Sequence, residues 1–476
     1  MKNVLFKARL ALADWSFKLG LLALAVLFIP RICGGAPDAG GVTSDTTNIA
    51  SSEFLYAYKN YYMGGLESGL RNATVLLDRL VAKGQPFEME GSSVIMAIRT
   101  QRNAGIGFST GRGPLPTAGN QAGIRPSSIH SRLVQMMAFD LTTLDLSRTD
   151  AGAFGRVMDI EMKGLEEDGK VVLNQALYGD KTRRLATVAA GYAPATNSTL
   201  TFDNAGLVNT VSGDMVKYLF EGMYFDTVAA NGTVHDAGLQ VSTINYAANS
   251  ITLVAAQTAA TVAGDFVVPG RLGGGGNDWN RGISGLSAAL SSTSNTYWGL
   301  DRSQAVNSRW RGQRVNQGGA ITQQGIRKLI TTVRKYGADQ GVQQSEGMPE
   351  GAVILTSFED KDAYANQLLN IKRIVNDMTL EGGWKAVEAE GYPMVADADA
   401  PCGIYRFLNW KDWNLGSPTG NVVPTLVNAP DGLVFRQVPG YDLWAAMFTS
   451  ELELGCFMPN RSGELYGCTV AADVPA

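Results

Sequence analysis

The chain has 476 residues, enough for two or three domains and a large buried core. A formal charge of −4, with 18% charged and 45% hydrophobic residues, excludes both a disordered chain and a strongly cationic nucleic-acid binder. Four widely spaced cysteines (Cys33, Cys402, Cys456, Cys468) without a C-x-x-C pair read as free buried thiols, not as a disulfide framework or structural zinc.

At the N-terminus, Leu5, Ala8, Leu12, Trp15, Leu19, Leu22 and Val26 recur at helical spacing. They predict an amphipathic helix docked on the protein or on a neighbour, with Leu5, Leu12, Trp15 and Leu19 as intersubunit contacts. The alternative is a membrane anchor or signal, because the chain begins basic and runs apolar from Leu19 to Ile29. That run is shorter than the ~20 residues a spanning helix needs, and no A-x-A site follows it. A Gly/Ser/Thr/Asp linker from Gly34 to Ser52 leads into a second helical stretch, where Tyr56, Tyr58, Tyr61 and Tyr62 read as packing and interface aromatics.

The stretch from Arg99 to Gly179 organises the chain. Between Gly91 and Gln135 it carries Arg99, Arg102, Arg112, Arg125 and Arg132, and no acidic residue. A structureless loop of that length does not suit a compact domain. The flanking SSVIMAIRT and HSRLVQMMAFDLTTLDLS have strand composition, so a long hairpin with an irregular basic tip is predicted. Arms of about 25 residues at ~3.3 Å each would reach roughly 80 Å and leave their own subunit. The five arginines are therefore assigned to intersubunit contacts, with carboxylates of neighbours as partners.

A long helix follows, predicted over Thr149–Leu177. Phe154, Met158, Met162, Leu165, Val172, Leu173 and Ala176 form its buried stripe; Asp159, Lys163, Glu166, Glu167, Lys170 and Asn174 fill the opposite face. Gly152, Gly155, Gly164 and Gly169 each cost about 1 kcal/mol against Ala, so packing along its length must hold it. From Leu185 to Gly270 a Thr/Val/Ala/Asn/Gly-rich stretch predicts short strands in an inserted β-barrel or β-sandwich, and RLGGGGNDWNRGISGLSAAL returns to the main body. From Ala320 an α/β region is expected: a helix closed by Gly337, the buried strand AVILTS, and a helix opened by a Ser cap and acidic first turn. The last forty residues alternate like long antiparallel strands.

Little points to chemistry. There is no Walker loop, and Gly105, Gly107, Gly111 and Gly113 lack the strand-then-helix context of a dinucleotide fingerprint. Glu166, Glu167 and Asp168 are consecutive on a helix and read as a solvated face; Glu359, Asp360 and Asp362 lack calcium-loop spacing and read as helix-start acids. Only His130 and His235 are present, neither in a recognisable motif. No catalytic, cofactor or metal residue is assigned, and no enzyme is expected.

The order of these parts resembles the major capsid proteins of tailed bacteriophages with the HK97-type fold. GSSVIMAIRTQRNAGIGF with LPTAGNQ is similar to the extended loop, and FGRVMDIEMKGLEEDGKVVLNQALYGD to the spine helix. AVILTSFEDKDAYANQLL is similar to the axial-domain strand and helix, and LWAAMFTSELELGCFMPNRSGELYGCTV to the peripheral-domain strands. The resemblance covers about Phe54 to Val470. It implies an α+β, HK97-like chain with an N-terminal helical arm (1–84), an extended β-hairpin loop (85–148), a peripheral-domain spine helix (149–184) and an inserted barrel-like β domain (185–275). A return to the peripheral domain (276–319), a central α/β axial domain (320–430) and C-terminal strands of the peripheral/axial domain (431–476) complete it.

The resemblance also implies function: self-assembly as hexamers and pentamers into an icosahedral virion shell holding double-stranded DNA without sequence readout, after synthesis in the host cytoplasm. Decoration, scaffold and portal proteins are the implied partners; no membrane is. Some members cross-link a loop lysine to a neighbour's asparagine, but no lysine lies between Lys83 and Lys163, so a non-covalent shell is expected. Assembly is expected to use a separate scaffold or none, the N-terminal segment being retained. The alternatives are an encapsulin-like compartment and, from another class, a surface-anchored β-rich adhesin.

Overall fold

The computed structural model describes residues 74–83, 87–88, 93–109, 113, 115–140, 157–193, 196–205, 216–258, 260–271, 276–290, 296–337, 351–371, 377–379, 385–417, 422–427 and 435–469. The N-terminal stripe with Leu5, Leu12, Trp15 and Leu19, the tyrosine cluster, Cys33, Arg112 and the first turns predicted for the long helix lie outside the described residues.

In chain order, helix α1 (Val75–Ala82) is followed by β1 (Phe87–Glu88), β2 (Val94–Ile95), β3 (Ile98–Arg99), β4 (Gly123–Ile124), β5 (Ser127–Ser128) and β6 (Ser131–Asp140), then by the spine helix α2 (Val157–Tyr178). Strands β7 (Ala186–Val188), β8 (Thr199–Ala205), β9 (Tyr224–Val228), β10 (Val234–Asn245), β11 (Ser250–Leu253) and β12 (Phe266–Pro269) close into a barrel of order β10-β11-β8-β7-β12-β9. Helix α3 (Leu286–Leu290), strands β13 (Thr296–Tyr297) and β14 (Leu300–Asp301), and a 3₁₀ turn at Ala305–Trp310 lead to β15 (Gln313–Ala320) and α4 (Gln323–Gly337). Then come β16 (Ala352–Thr356), α5 (Phe358–Ile371), β17 (Asp377–Thr379), β18 (Lys385–Ala389), β19 (Tyr392–Ala396), β20 (Tyr405–Asn409) and β21 (Trp413–Ser417). Strands β22 (Thr425–Leu426), β23 (Arg436–Gln437), β24 (Leu443–Cys456) and β25 (Gly463–Thr469) follow.

The central sheet runs β15-β25-β20-β16-β19-β18-β17. All five residues of β16 are buried because both faces are covered: Val353 and Leu355 join one apolar cluster with Leu173, Leu177, Trp298, Trp310 and Trp413, while Ala352 and Ile354 join a second with Ile326, Leu329, Val333 and Tyr364 from α4 and α5. A strand buried on both faces reads as a continuous apolar run, as AVILT does. Helix α4 is described through Gly337, and residues 338–350 after it lie outside the described residues. Helix α5 opens with a reciprocal cap: Ser357 Oγ donates to Asp360 Oδ2 at 3.0 Å, and Asp360 N–H donates to Ser357 Oγ at 3.2 Å. Asp360 is no solvated acid, however. It is fully buried and also accepts from Gly403 N–H at 2.7 Å, tying the start of α5 to the approach to β20; burial pushes its carboxyl up to about 7 against these hydrogen bonds.

Three sequence expectations are corrected. First, Ser131–Asp140 does not pair with the outgoing arm of the loop. It pairs antiparallel with β24 over Ser131↔Leu452 to Asp140↔Leu443, and the loop's return arm is the shorter Gly123–Ser128. A ten-residue ladder offers far more backbone pairing than a hairpin whose strands are two residues long. Second, the terminal strands separate: β24 stays with β6, while β25 crosses to the central sheet, parallel to β15 and antiparallel to β20. Third, Asn174 is not on the solvent face of the spine helix. It is fully buried, because its amide accepts from Leu77 N–H at 3.0 Å and donates to Asp399 Oδ2 at 2.7 Å. One of the helix glycines is explained by the same packing. A Cβ on Gly169 would lie 2.5 Å from Gln135 Oε1 of β6 and 2.8 Å from Pro424 Cγ, and Gln135 Nε2 donates to Leu165 O at 2.6 Å.

The loop's base is locked to the segment returning from the barrel by Glu453 of β24. Ser284 N–H donates to Glu453 Oε1 at 2.9 Å; Ser131 Oγ lies 3.5 Å from Oε2 and donates to Gly282 O at 2.6 Å. Burial pushes the Glu453 carboxyl from an ordinary 4.5 up to about 7, opposed by the Ser284 hydrogen bonds and the Lys181 charge. A carboxyl raised in the folded state stabilises below its unfolded pKa, and that contribution is lost as pH rises from 4.5 through about 7. Glu453→Gln keeps an acceptor for Ser284 and removes the charge, so it is expected to be about 1–3 kcal/mol more stable than wild type at pH 8 and to show no advantage at pH 4.5. Urea midpoints measured across that range check it; a parallel pH profile for the two proteins would reject it.

Candidate functional site

The loop leaves the body at β2 and returns at β5. Its root is apolar and buried: Val94, Met96, Ile98 and Ile124 join the cluster around Trp298 and Trp310. Val94↔Ser128 and Ile98↔Ile124 pair antiparallel, and Met96 N–H donates to Pro126 O at 3.0 Å between them. Beyond Thr100 the two arms stay together without a regular ladder. A Cβ at Gly105 would lie 2.7 Å from Gly119 N, and one at Gly119 would lie 2.5 Å from Asn103 Oδ1, so glycine at both positions permits the close approach. An arm of roughly 15 residues at ~3.3 Å spans about 50 Å, less than the reach expected from the longer strands.

Outside the root, the loop turns apolar side chains to solvent. Ile106 is 83% exposed, Leu115 83%, and Phe108 fully exposed. Large side chains usually avoid such exposure, and a contiguous apolar group marks a contact surface. Around them the predicted arginines fall into two groups. Arg99, Arg102 and Arg125 are exposed and make no ion pair among the described residues, Arg99 Nε donating to Gln101 O at 3.4 Å. Arg132, by contrast, has an acidic partner in its own chain: its Nε lies 3.2 Å from Glu451 Oε1 across the β6–β24 ladder. A cross-strand pair of that kind was hidden by the 319 residues separating its members, since Arg132↔Glu451 is set by the ladder register.

At the loop's root a cleft of about 750 Å³ is lined by Arg99, Arg102, Arg309, Trp310, Asn460 and Arg461, among others. Arg309 was not singled out in the sequence, because nothing local ties a 3₁₀ turn to a loop two hundred residues earlier. Arg461 Nη1 is paired with Asp412 Oδ1 at 3.2 Å.

Elsewhere, polar groups serve the fold. Among the described residues no group of three or more His, Cys, Asp or Glu is placed to hold a metal ion. His235 Nδ1 lies 2.7 Å from Asp265 Oδ2 in the barrel, and Asp236 takes Thr261 Oγ1 at 2.6 Å and Thr261 N–H at 3.2 Å. Cys402, Cys456 and Cys468 are buried thiols in no disulfide among the described residues, and burial pushes the Cys468 thiol up to about 12 and holds the Cys456 thiol well above its ordinary value, which disfavours the reactive thiolate. Glu166 pairs with Lys170 at 2.7 Å one turn on. Among the described residues no helix is long and apolar enough to cross a membrane.

An extended loop rooted beside a spine helix, an inserted closed barrel and a central mixed sheet flanked by helices together make the HK97-type capsid fold. Among solved structures the chain is similar to the capsid asymmetric unit of Cyanophage A-1(L), at 14% identity and a TM-score of 0.51, over 86% of this chain and 97% of that one. It also matches the capsid of a native GTA particle at 9% identity and a TM-score of 0.44, over 88% and 98% of the two chains. The holo-SrpI encapsulin complex from Synechococcus elongatus PCC 7942 matches at 10% and 0.42, over 87% and 95%. No family model matches the sequence, and no curated protein does.

Proposed function

We propose that this chain is the major capsid protein of a tailed phage, a structural subunit that self-assembles as hexamers and pentamers into a closed, non-covalent icosahedral shell around double-stranded DNA. The observation that carries the reading is the loop itself: Ile106, Phe108 and Leu115 lie in water in the isolated subunit, on a ribbon whose root is built into the core. Covering these side chains with a second copy recovers about 25 cal/mol for each Å² of apolar surface removed from water, which a monomer forgoes. The division into arm, loop, spine, inserted, axial and terminal parts given above belongs to this reading, as do Arg99, Arg102, Arg112 and Arg125 as contacts to neighbours and the N-terminal stripe as a clamp. Scaffold, decoration and portal proteins would be its partners in the virion.

Electron microscopy of the full-length protein, expressed alone and with its neighbouring genes, tests this. Closed shells or capsomer rings are expected, and a well-behaved monomer would overturn the reading. Particles that carry protein cargo and no nucleic acid would instead mark an enzyme-packaging compartment. The triple change Ile106→Ser, Phe108→Ser and Leu115→Ser is expected to abolish shells while leaving the subunit's thermal midpoint within about 2 °C, because exposed positions away from packing change stability by only ~0.5 kcal/mol. Mature particles on a denaturing gel are expected to run as a single monomer band; a ladder of covalent multimers would refute the non-covalent shell.

A further inference from the structure

The cleft at the root of the loop has an unusual balance of charge. Arg99, Arg102 and Arg309 line it, all three are exposed, and none has a carboxylate partner among the described residues. Its fourth arginine, Arg461, already has Asp412. Three guanidiniums around one cleft repel one another unless anions sit between them, and the guanidinium fork suits carboxylates.

The matching surface is on the spine helix. Glu167 and Asp168 are adjacent and face solvent to differing degrees, and no ion pair is formed by either among the described residues. Burial, and then the Glu167 charge, raise the Asp168 carboxyl above its ordinary value. Among the other exposed acids, Glu221 and Asp442 stand alone in the chain and Asp78 lies in the first turn of α1. Glu359 lies in the first turn of α5 and Asp362 just beyond it, near the positive end of the helix dipole. The Glu167–Asp168 turn is in the middle of a 22-residue helix, with no such compensation.

We infer that the Arg99–Arg102–Arg309 cleft receives the Glu167–Asp168 turn of the spine helix of a second copy, a charge-matched joint at the loop's root. The inference rests on the self-assembly reading and adds the partner surface to it. The joint specifies which neighbour the loop lies across, since complementary charge fixes register and suppresses wrong pairings.

Charge exchange tests it on the full-length protein. Arg102→Glu with Arg309→Glu, and separately Glu167→Arg with Asp168→Arg, are each expected to lower the yield of closed particles at least about tenfold, because like charges across an interface cost several kcal/mol. Combining all four changes in one chain is expected to restore the yield to within about twofold of wild type. Thermal melting of each soluble subunit separates failed assembly from failed folding; if a reversal melts early, the neutral set Arg102→Gln, Arg309→Gln, Glu167→Gln and Asp168→Gln replaces it, with a lower yield of shells at low salt, and a gap to wild type that closes as salt is raised, as the expected effect. Unchanged yield in the single-surface variants overturns the inference, and so does failure of the fourfold variant to recover. Loss of copurifying nucleic acid from intact particles of the arginine variant would assign the cleft to phosphate and overturn it equally. If wild-type protein forms no particles, the shell reading itself falls.

Discussion

Asp397→Ala is expected to destabilise the fold by about 3–5 kcal/mol, the range for removing one partner from a buried charged network. Its carboxylate lies fully buried where three parts of the chain meet. Oδ2 accepts from Leu76 N–H of α1 at 3.1 Å and from Tyr178 OH of the spine helix at 2.9 Å; Oδ1 accepts from Asp399 N–H at 2.9 Å. Asn174 Nδ2 lies 3.3 Å from both oxygens. Truncation leaves several buried donors without an acceptor, and no water can replace it without a cavity of sufficient polarity. The Tyr178 hydroxyl, held well above its usual pKa by burial and the Asp397 charge, stays a donor with nowhere to donate. Asp397→Asn, which keeps one acceptor oxygen, should fall between the two. Urea unfolding followed by tryptophan fluorescence measures both, and a loss below about 1 kcal/mol for the alanine variant would show that the network contributes little.

Glu464→Ala is expected to be comparably damaging for a different reason. Glu464 of β25 is fully buried between two arginines on the flanking strands, opposite Arg406 of β20 and Arg314 of β15 in register. Its Oε2 lies 3.3 Å from Arg406 Nε and its Oε1 3.2 Å from Arg314 Nε. Arg314 is partly exposed and stacks on Tyr466 at 3.7 Å, so it can turn to water. Arg406 is 1% exposed and cannot, keeping among the described residues Ser287 Oγ at 2.6 Å and the Tyr178 ring. An unpaired buried guanidinium costs about 3–5 kcal/mol, whereas removing both charges often costs little. The double variant Glu464→Leu with Arg406→Met should therefore be more stable than Glu464→Ala alone. If it is not, the loss reflects packing, not an orphaned charge.

How much of this was legible in the sequence depends on how local the determining contacts are. The spine helix, α4, AVILT as a doubly buried strand, and the Ser357 cap all rest on neighbours within a few residues, and periodicity or capping chemistry reveals them. The barrel strands were readable as strands, but their closure depends on pairing across the whole segment. Asn174 looked like a surface residue because its partners, Leu77, Asp397 and Asp399, are far away in sequence. The departure of β25 to the central sheet is non-local in the same way. For the candidate site, the acid-free arginine run pointed to the loop, but the ion pair of Arg132 and the place of Arg309 beside Arg99 emerge only once β6 meets β24 and the 3₁₀ turn meets the root.

The position of β25 bears on when a newly made subunit can begin to associate. Gly463–Thr469 lies between β15 and β20, so until the ribosome has released the chain through Thr469 the central sheet exists as two pieces, each with an unpaired edge facing the gap. The same delay applies to the ten-residue β6, whose partner β24 is also synthesised late. Folding during translation therefore stops short of a finished sheet, and the nascent chain needs its open edges shielded from those of neighbouring nascent chains. The geometry makes the emergence of β25 a timing gate: the sheet is sealed only by a strand translated after every other strand in it.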